Sequence, residues 1–382
     1  MTILKKSFLA GALISLLGTS TLIADVPDLT FTNIRQMGMG SAGVAVNNGD
    51  ADLYQNPALL SEVKDPYFKF PRLQAAIGTD ILDKKDTLNK LNDSTELDTG
   101  QILVDLTPLK IAAGAGLSTV LSYTSPGFGV GVFSGSFAHG ALEDVEGSIS
   151  QLTLYGVADV APALGFTHKV ELFNQPVELG ISGKYIVRNT MYDNVTGVDY
   201  IKMGIADLTY AINNDKLQDD LSHTYSSTGF GVDIGMLTPI ELWGAKGNFG
   251  LAVRNIGATL SGQKTLTGNV TVDSTQTLPV TAVMGVSFKS EVPFLGEFLT
   301  AADYKLSPGT TFFKSLSMGF EKQILGDVLK VRSGLNQGYF VMGIGLDLAI
   351  FHLDYAYQAI ELGSEAGQDP LTYHVLEMGI LF

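Results

Sequence analysis

The chain predicts an all-β fold, a transmembrane antiparallel β-barrel of about fourteen strands. Three observations carry that prediction. From residue 66 almost to the end, large apolar residues alternate with small or polar ones at a period of two. The polar positions are rich in Gly rather than in the Lys and Glu of a solvated sheet. After the first 24 residues, no continuous apolar run reaches the ~20 residues of a spanning helix. A soluble sandwich also alternates, with its apolar face inward. Here the pattern persists through nearly the whole chain, and most segments reach the ~9–11 residues of a membrane strand.

Composition narrows the function classes. The 382 residues carry a formal charge of −15 and no Cys. The acidity argues against nucleic acid, whose phosphates need clustered Lys and Arg. Without Cys there are no disulfides, thiolate metal sites or Cys nucleophiles.

Residues 1–24 read as a secretory signal: Lys5 and Lys6 at the charged end, an apolar core from Phe8 to Leu17, and Ala24 as its last residue. Residues 25–65 are expected to form a hatch, or plug, centred on 33–60 (NIRQMGMGSAGVAVNNGDADLYQNPALL). That stretch holds too much Gly and too little alternation for a wall strand, and the lumen is the enclosure available to it. A short helix over 51–55 is expected, with Asp50 as its N-cap and Pro57 limiting it. Asn56 offers an amide to tie plug to wall. If a ligand passes there, Asn56, Pro57 and Ala58 should lie beside a gap in the wall.

Gly38, Gly40 and Gly43 match the G-x-G-x-x-G spacing of dinucleotide sites. The context is wrong, because no strand precedes them and no helix opens within them. Glycines that let backbones pack closely are the simpler reading. Asp50 and Asp52 in one turn do not make a full cation loop.

Residues 66–382 supply the barrel, with strands near 66–77, 109–124, 127–139, 148–160, 176–191, 224–237, 246–256, 277–289, 298–306, 314–322, 328–334, 338–348, 350–358 and 372–382. Connections after odd-numbered strands are mostly long (78–108, 192–223, 257–276 and 359–371). Those after even-numbered strands are mostly short (125–126, 238–245 and 349), with 161–175 the longest of that set. Long outer loops and short periplasmic turns give this asymmetry.

Two outer loops, near 81–97 and 200–221, carry helical patterns. Ile201, Ile205, Leu208 and Ile212 recur at helical spacing, and Leu217 and Leu221 extend the stripe. Ile81, Leu88 and Leu91 do so more weakly. Each helix either covers the barrel mouth or forms an apolar landing site for a ligand.

Lys184, Arg188, Asp233, Asp303, Lys305, Glu321, Lys330, Arg332 and Asp347 fall on polar strand faces. Each would cost ~2–4 kcal/mol in lipid at mid-depth, so they should face the lumen, as ion pairs or as a selective lining. His139, His168, His223, His352 and His374 make no metal-spaced pair on one helix. No G-x-S-x-G elbow is present. The expectation is a protein that is not an enzyme, with no catalytic residue, metal or cofactor.

Residues 35–60, RQMGMGSAGVAVNNGDADLYQNPALL, resemble the N-terminal hatch of the FadL/TodX outer-membrane transporters, including Asn56-Pro57-Ala58. The strand count is similar to that family's barrel. Phe382, closing an alternating strand, resembles the signal read by the outer-membrane barrel-insertion machinery. Residues 335–370 look closer to the TraF-like and PorV-like branch.

The FadL resemblance implies an outer-membrane location in a Gram-negative-type bacterium. It also implies passive uptake of small hydrophobic molecules, fatty-acid-like or aromatic. Capture would be at outer loops, in this chain Ile201, Ile205, Leu208 and Ile212. The path would run past Gly38, Gly40, Gly43 and Asn56-Pro57-Ala58, with lateral exit through the wall. The other branch implies a non-transporting scaffold for secretion, conjugation or surface attachment. Implied partners are membrane lipid, a hydrophobic small molecule, the insertion machinery and, in the second branch, secretion-system proteins. The lumen discriminates: a continuous apolar tunnel past Asn56 favours transport, and a lumen filled by side chains and ion pairs favours the scaffold.

Overall fold

The computed structural model describes Thr30 and residues 33–144, 150–172, 174–242, 244–292, 296–306, 311–325, 328–348 and 350–380. The expected signal segment 1–24 and the expected assembly residue Phe382 lie outside the described residues.

The strands close into a 14-strand antiparallel barrel. The first wall position is shared by β1 (Tyr67–Lys69) and β2 (Arg72–Gly78), and the second by β3 (Leu109–Thr119) and β4 (Leu121–Ser125). Next come β5 (Phe128–Glu143), β6 (Gln151–Leu172) and β7 (Gln175–Met191). After the short β8 (Ile201–Gly204) follow β9 (Thr224–Leu242) and β10 (Ala245–Ile256). A hairpin of β11 (Thr259–Leu266) and β12 (Val270–Thr277) follows β10 and pairs with β9, Ser261 opposite Thr228 and Gly262 opposite Ser227. Then β13 (Thr281–Val292), β14 (Gly296–Leu306), β15 (Leu316–Ile324), β16 (Leu329–Asn336), β17 (Tyr339–Leu348), β18 (Phe351–Glu361) and β19 (Pro370–Ile380) complete the wall. Pairing of β19 with β2, Leu376 opposite Ala75 and Met378 opposite Leu73, shuts the ring. A closed ring leaves no unpaired edge in lipid.

Alternation sets the two faces. Phe230 and Ile234 of β9, Phe340, Met342 and Ile344 of β17, and Leu376, Met378 and Ile380 of β19 are exposed on the outside. Between them Gly231, Asp233, Gly235, Gly343 and Glu377 are buried inside. So large an apolar exterior is stable in hydrocarbon and not in water. Aromatic rings gather near both ends. Phe68, Tyr123, Phe128 and Phe166 make successive contacts at the turn end. Tyr304, Phe312 and Phe313 do so at the other.

The connections alternate as expected, but several boundaries move. Residues 161–175 are not a loop: β6 runs to Leu172, β7 starts at Gln175, and Asn174 at φ 61° makes a tight turn. The turn between β9 and β10 is equally tight, with Gly244 at φ 81°. Asn and Gly adopt such left-handed angles at little steric cost, so a two-residue turn suffices. The expected loop 257–276 is instead the β11–β12 hairpin, whose polar alternation (exposed Thr259, Ser261, Gln263 and Thr265) was read as loop composition.

The helical loops do not cover the mouth. Their apolar cluster packs on Leu109 and Ile111 of β3, Leu142 of β5 and Leu152 and Leu154 of β6. These share the face of exposed Val130 and Val160, an even number of residues away along β5 and β6. The helices therefore cling to the outer side of strands that extend beyond the turn-distal rim. We call this assembly the annex.

Candidate functional site

Residues 33–63 lie against the inner faces of strands all round the barrel. Asn33 caps helix Ile34–Gly38, its Oδ1 accepting from Gln36 N at 3.0 Å. A 3-10 turn Gly49–Ala51 leads into helix Asp52–Gln55. Asn56 then caps the 3-10 run Pro57–Glu62: its Oδ1 accepts from Ala58 N at 3.1 Å, and its amide donates to Val44 O at 2.6 Å and to Met236 O of β9 at 3.4 Å. Pro57 occupies the first helical position, where no N–H is needed.

Inward glycines of the wall explain how a backbone can sit so close. A Cβ at Gly235 would lie 1.9 Å from Asn56 Oδ1, and one at Gly180 would lie 2.2 Å from Ala58 N. At Gly319 it would meet Met39 O at 2.1 Å, and at Gly250 Val44 O at 2.4 Å. In the segment itself, Gly38 faces Gly343, Gly40 adopts φ +68° against Met318 O and Leu335 O, and Gly43 packs on Gln36 and Asn48.

Polar ties fix the segment from several sides. Asp303 Oδ2 of β14 accepts from Gly43 N at 2.7 Å and Val44 N at 2.9 Å. Ser287 of β13 donates to Ala45 O, Gln358 of β18 donates to Ser41 Oγ, and Thr30 N donates to Asp159 of β6. Asp50 is not the expected helix cap. It lies inside the 3-10 turn and turns to the wall, taking Lys69, Thr119 and Ser122. Burial alone would raise its carboxyl; Lys69 and Arg72 beside it, with the Thr119 hydroxyl, hold it below the ordinary value. Asp52 accepts from Asn48 N but has no such cation in contact, and burial pushes it well above the ordinary value.

The charged inner residues are largely paired. Lys184 bonds both oxygens of Asp233 at 2.8 Å, and Arg188 bonds Asp159 at 2.7 and 2.8 Å. Arg332 bridges Glu321 at 2.7 Å and Asp354 at 2.6 Å, and Arg35 of the segment reaches Glu321 at 2.8 Å. Lys330 and His352 share Asp347. His352, Asp354 and Glu377 come close enough to suggest a metal cluster. Their acids are already engaged by Arg332 and Arg72, which opposes a further cation. Sequence reasoning missed this cluster because His352 and Asp354 are two apart on strand β18 and Glu377 comes from β19, whereas the histidines were weighed only for ligand spacing on a helix.

Asn56, Pro57 and Ala58 face a closed piece of wall: β7 and β9 pair without interruption from Glu178–Leu237 to Met191–Thr224. Around the segment, ion pairs and amides fill much of the lumen. A cavity of about 270 Å³ remains beside it, lined among others by Gln36, Gln55, Lys184, Arg254, Asp303 and Lys305.

The four outer-loop candidates share one apolar cluster but not one helix. Ile201 belongs to β8, opposite Leu154 of β6, and the helix starts at Ile205. Leu208 is buried, and Ile205 and Ile212 pack at the edge. An entirely apolar pocket of about 40 Å³ lies in this cluster, walled by Leu103, Leu106, Leu142, Leu154, Leu208 and Leu217, among others. Leu103 and Leu106 come from helix Glu96–Leu106, which the sequence reading did not extend to. The signal was there: Thr95 and Asp98 form a capping box, Thr95-x-x-Asp98.

No family model matches this chain, and no curated protein does. Similar solved structures include the Ralstonia pickettii toluene transporter TbuX, at 13% identity and TM-score 0.45, covering 93% of this chain and 99% of that one. A CymD monoaromatic hydrocarbon channel is 14% identical at TM-score 0.45, covering 96% and 97%. A Pseudomonas aeruginosa FadL homologue is 10% identical at TM-score 0.42, covering 95% and 99%. Each is similar to the chain across nearly its whole length.

Proposed function

We propose that this chain is an outer-membrane β-barrel for passive uptake of small hydrophobic molecules, fatty-acid-like or aromatic. The annex captures the molecule, and residues 33–62 act as a displaceable hatch. The observation that supports it most is the annex pocket, whose lining is wholly Leu and Ile and which lies on the apolar side of the wall. Its lining offers no polar partner, so it favours the hydrocarbon part of a ligand, a ring or the alkyl chain of a fatty acid whose carboxylate stays outside, and its volume of about 40 Å³ must widen to admit one. Passage requires the hatch to shift, since the lumen around it is occupied. The test is binding of palmitate and of toluene to purified protein. Leu208→Asp should abolish both while the barrel still shows heat-modifiable migration. Unchanged binding in that variant, or none in the parent, overturns the reading.

A second reading, a non-transporting scaffold, draws support from the buried pairs Lys184–Asp233, Arg188–Asp159 and Arg332–Glu321, which join neighbouring strands on the lumen side of the wall. It predicts no ligand in the annex and no uptake into liposomes.

A further inference from the structure

We propose that two neighbouring turns, β15–β16 and β17–β18, dip into the phospholipid leaflet at the turn end, so that the barrel sits deeper in the membrane on this side than at its β4–β5 turn. The sequences of these turns, ILGDVL at 324–329 and LAIF at 348–351, hold one charge between them, Asp327. Ile324, Leu325, Val328, Leu348, Ile350 and Phe351 are all exposed. Turns that stand in water are ordinarily built from Gly, Pro, Asn, Asp and Ser. A contiguous exposed patch of large apolar side chains marks an interaction surface instead.

Leu325 shows that the patch is kept at a cost. Its φ is 57°, in the left-handed region, and it is 74% exposed. The other tight turns at this end hold Asn174, Gly244 and Gly296 in the same region, at φ 61°, 81° and 78°. Gly takes that conformation freely and Asn tolerates it, whereas a branched apolar side chain is strained there. A strained Leu held in the open is favoured only where its surroundings are apolar.

Continuity with the outer face says what those surroundings are. On β17 the exposed row Phe340, Met342 and Ile344 runs on through Leu346 to Leu348, which pairs with Phe351 of β18. On this pair of strands the patch is the lower edge of the band that already faces hydrocarbon, and no polar residue divides them. Lys322 shares the outward row of β15. It lies 4.7 Å from the Phe298 ring centroid and donates to Glu297 O, one residue nearer the turn end. A stem laid along apolar surface, with its ammonium carried toward the rim, is how Lys reaches headgroups from within a membrane.

The β4–β5 side ends differently. There the contacting rings of Phe68, Tyr123, Phe128 and Phe166 make an interfacial girdle. Next to it come Glu62, Lys64, Asp65 and Pro126, all exposed, which suit water. The two arcs therefore meet the membrane surface at different depths.

The experiment is a depth measurement in phosphatidylcholine nanodiscs, whose two faces are both open to solvent. The chain has no Cys, so Leu325→Cys, Ile350→Cys and Pro126→Cys each take one NBD fluorophore. Heat-modifiable migration is the folding control. Quenching by spin-labelled phosphatidylcholine reads contact with lipid, and quenching by iodide reads contact with water. At 325 and 350 the lipid quenching should be at least threefold stronger than at 126, and the iodide quenching at least threefold weaker. A smaller difference at either position overturns the proposal. Equal iodide access would put the patch in water, open to a protein partner, and equal lipid contact would put all the turns at one level. No ligand is involved, so the outcome is independent of the uptake reading.

Discussion

The hatch segment and the annex are both packed against the same wall, on opposite faces, and by opposite means. The segment meets the inner face through backbone, glycine and paired charge: Asn56 against Gly235, Ala58 against Gly180, Gly43 and Val44 on Asp303. The annex meets the outer face chiefly through apolar side chains, Leu and Ile with Met191 and Met203, beside one polar tie from Lys110 N to Asp80 and the pairing of β8 with β6. The difference follows from strand parity. A period of two hands the wall's glycines and charges to the lumen and its large apolar groups to the outside. Whatever enters the lumen must dock by hydrogen bonds at short range. Whatever clings outside the rim docks by apolar burial. The first interface is specific and intolerant of added atoms; the second is sensitive to lost apolar volume and to added polarity.

The sharpest way to break this comparison is to add atoms inside. Gly235→Val would set side-chain carbon where Asn56 Oδ1 lies. Overpacking costs typically ~1–3 kcal/mol even where neighbours can give, and here the neighbour is a capping amide. The hatch should unseat, seen as protease cleavage within 33–62 at least tenfold faster than in the parent. Equal protection would mean that the segment is not held by close approach. Next in size, Leu154→Ala in the annex should lower its local stability by ~2–5 kcal/mol through cavity formation. Hydrogen exchange of Ile205–Asn213 should rise while that of the hatch stays put. A change in both would show the two interfaces to be coupled.

A smaller effect concerns Asp50. Its carboxyl is held below the ordinary value, so its stabilising contribution is fully present above about pH 4, the unfolded carboxylate range. That contribution is lost as pH falls through the lowered folded value. Asp50→Asn should therefore speed cleavage of the hatch severalfold at pH 7 and hardly at all at the acid end of that range. A difference that does not shrink on acidification contradicts the Lys69–Asp50 tie. Smallest of all, Lys264→Met in the β11–β12 hairpin removes an ammonium 4.8 Å from the Tyr225 ring centroid and its pair with Asp199. The expected cost is ~1 kcal/mol, local to the hairpin.

The wall was legible because its signal is repeated. Most strands carry the same alternation, so an error of a few residues in any one of them leaves the order unchanged. What could be misread was composition without period. Residues 161–175 contain Pro162, Gly165 and Asn174 and read as a loop, yet an extended strand carries them to a two-residue turn. Ile201 fits a helical stripe by spacing, but pairing with Leu154 makes it strand. Asp50 fits a cap locally; two wall hydroxyls and Lys69, far along the chain, outbid the helix end for its carboxylate. Nor could sequence tell which face the annex would choose. That depends on how far β3, β5 and β6 extend past the rim. The cavity beside the hatch arises where eight or more segments meet, and no window of sequence holds them together.

The central claim is that residues 33–62 close an otherwise continuous lumen. Planar-bilayer conductance of the full chain beside a deletion of 33–62 tests it most directly. The account predicts a silent parent and, for a deletion variant that keeps heat-modifiable migration, discrete open channels that pass small polar ions. A folded deletion variant as silent as the parent would contradict it.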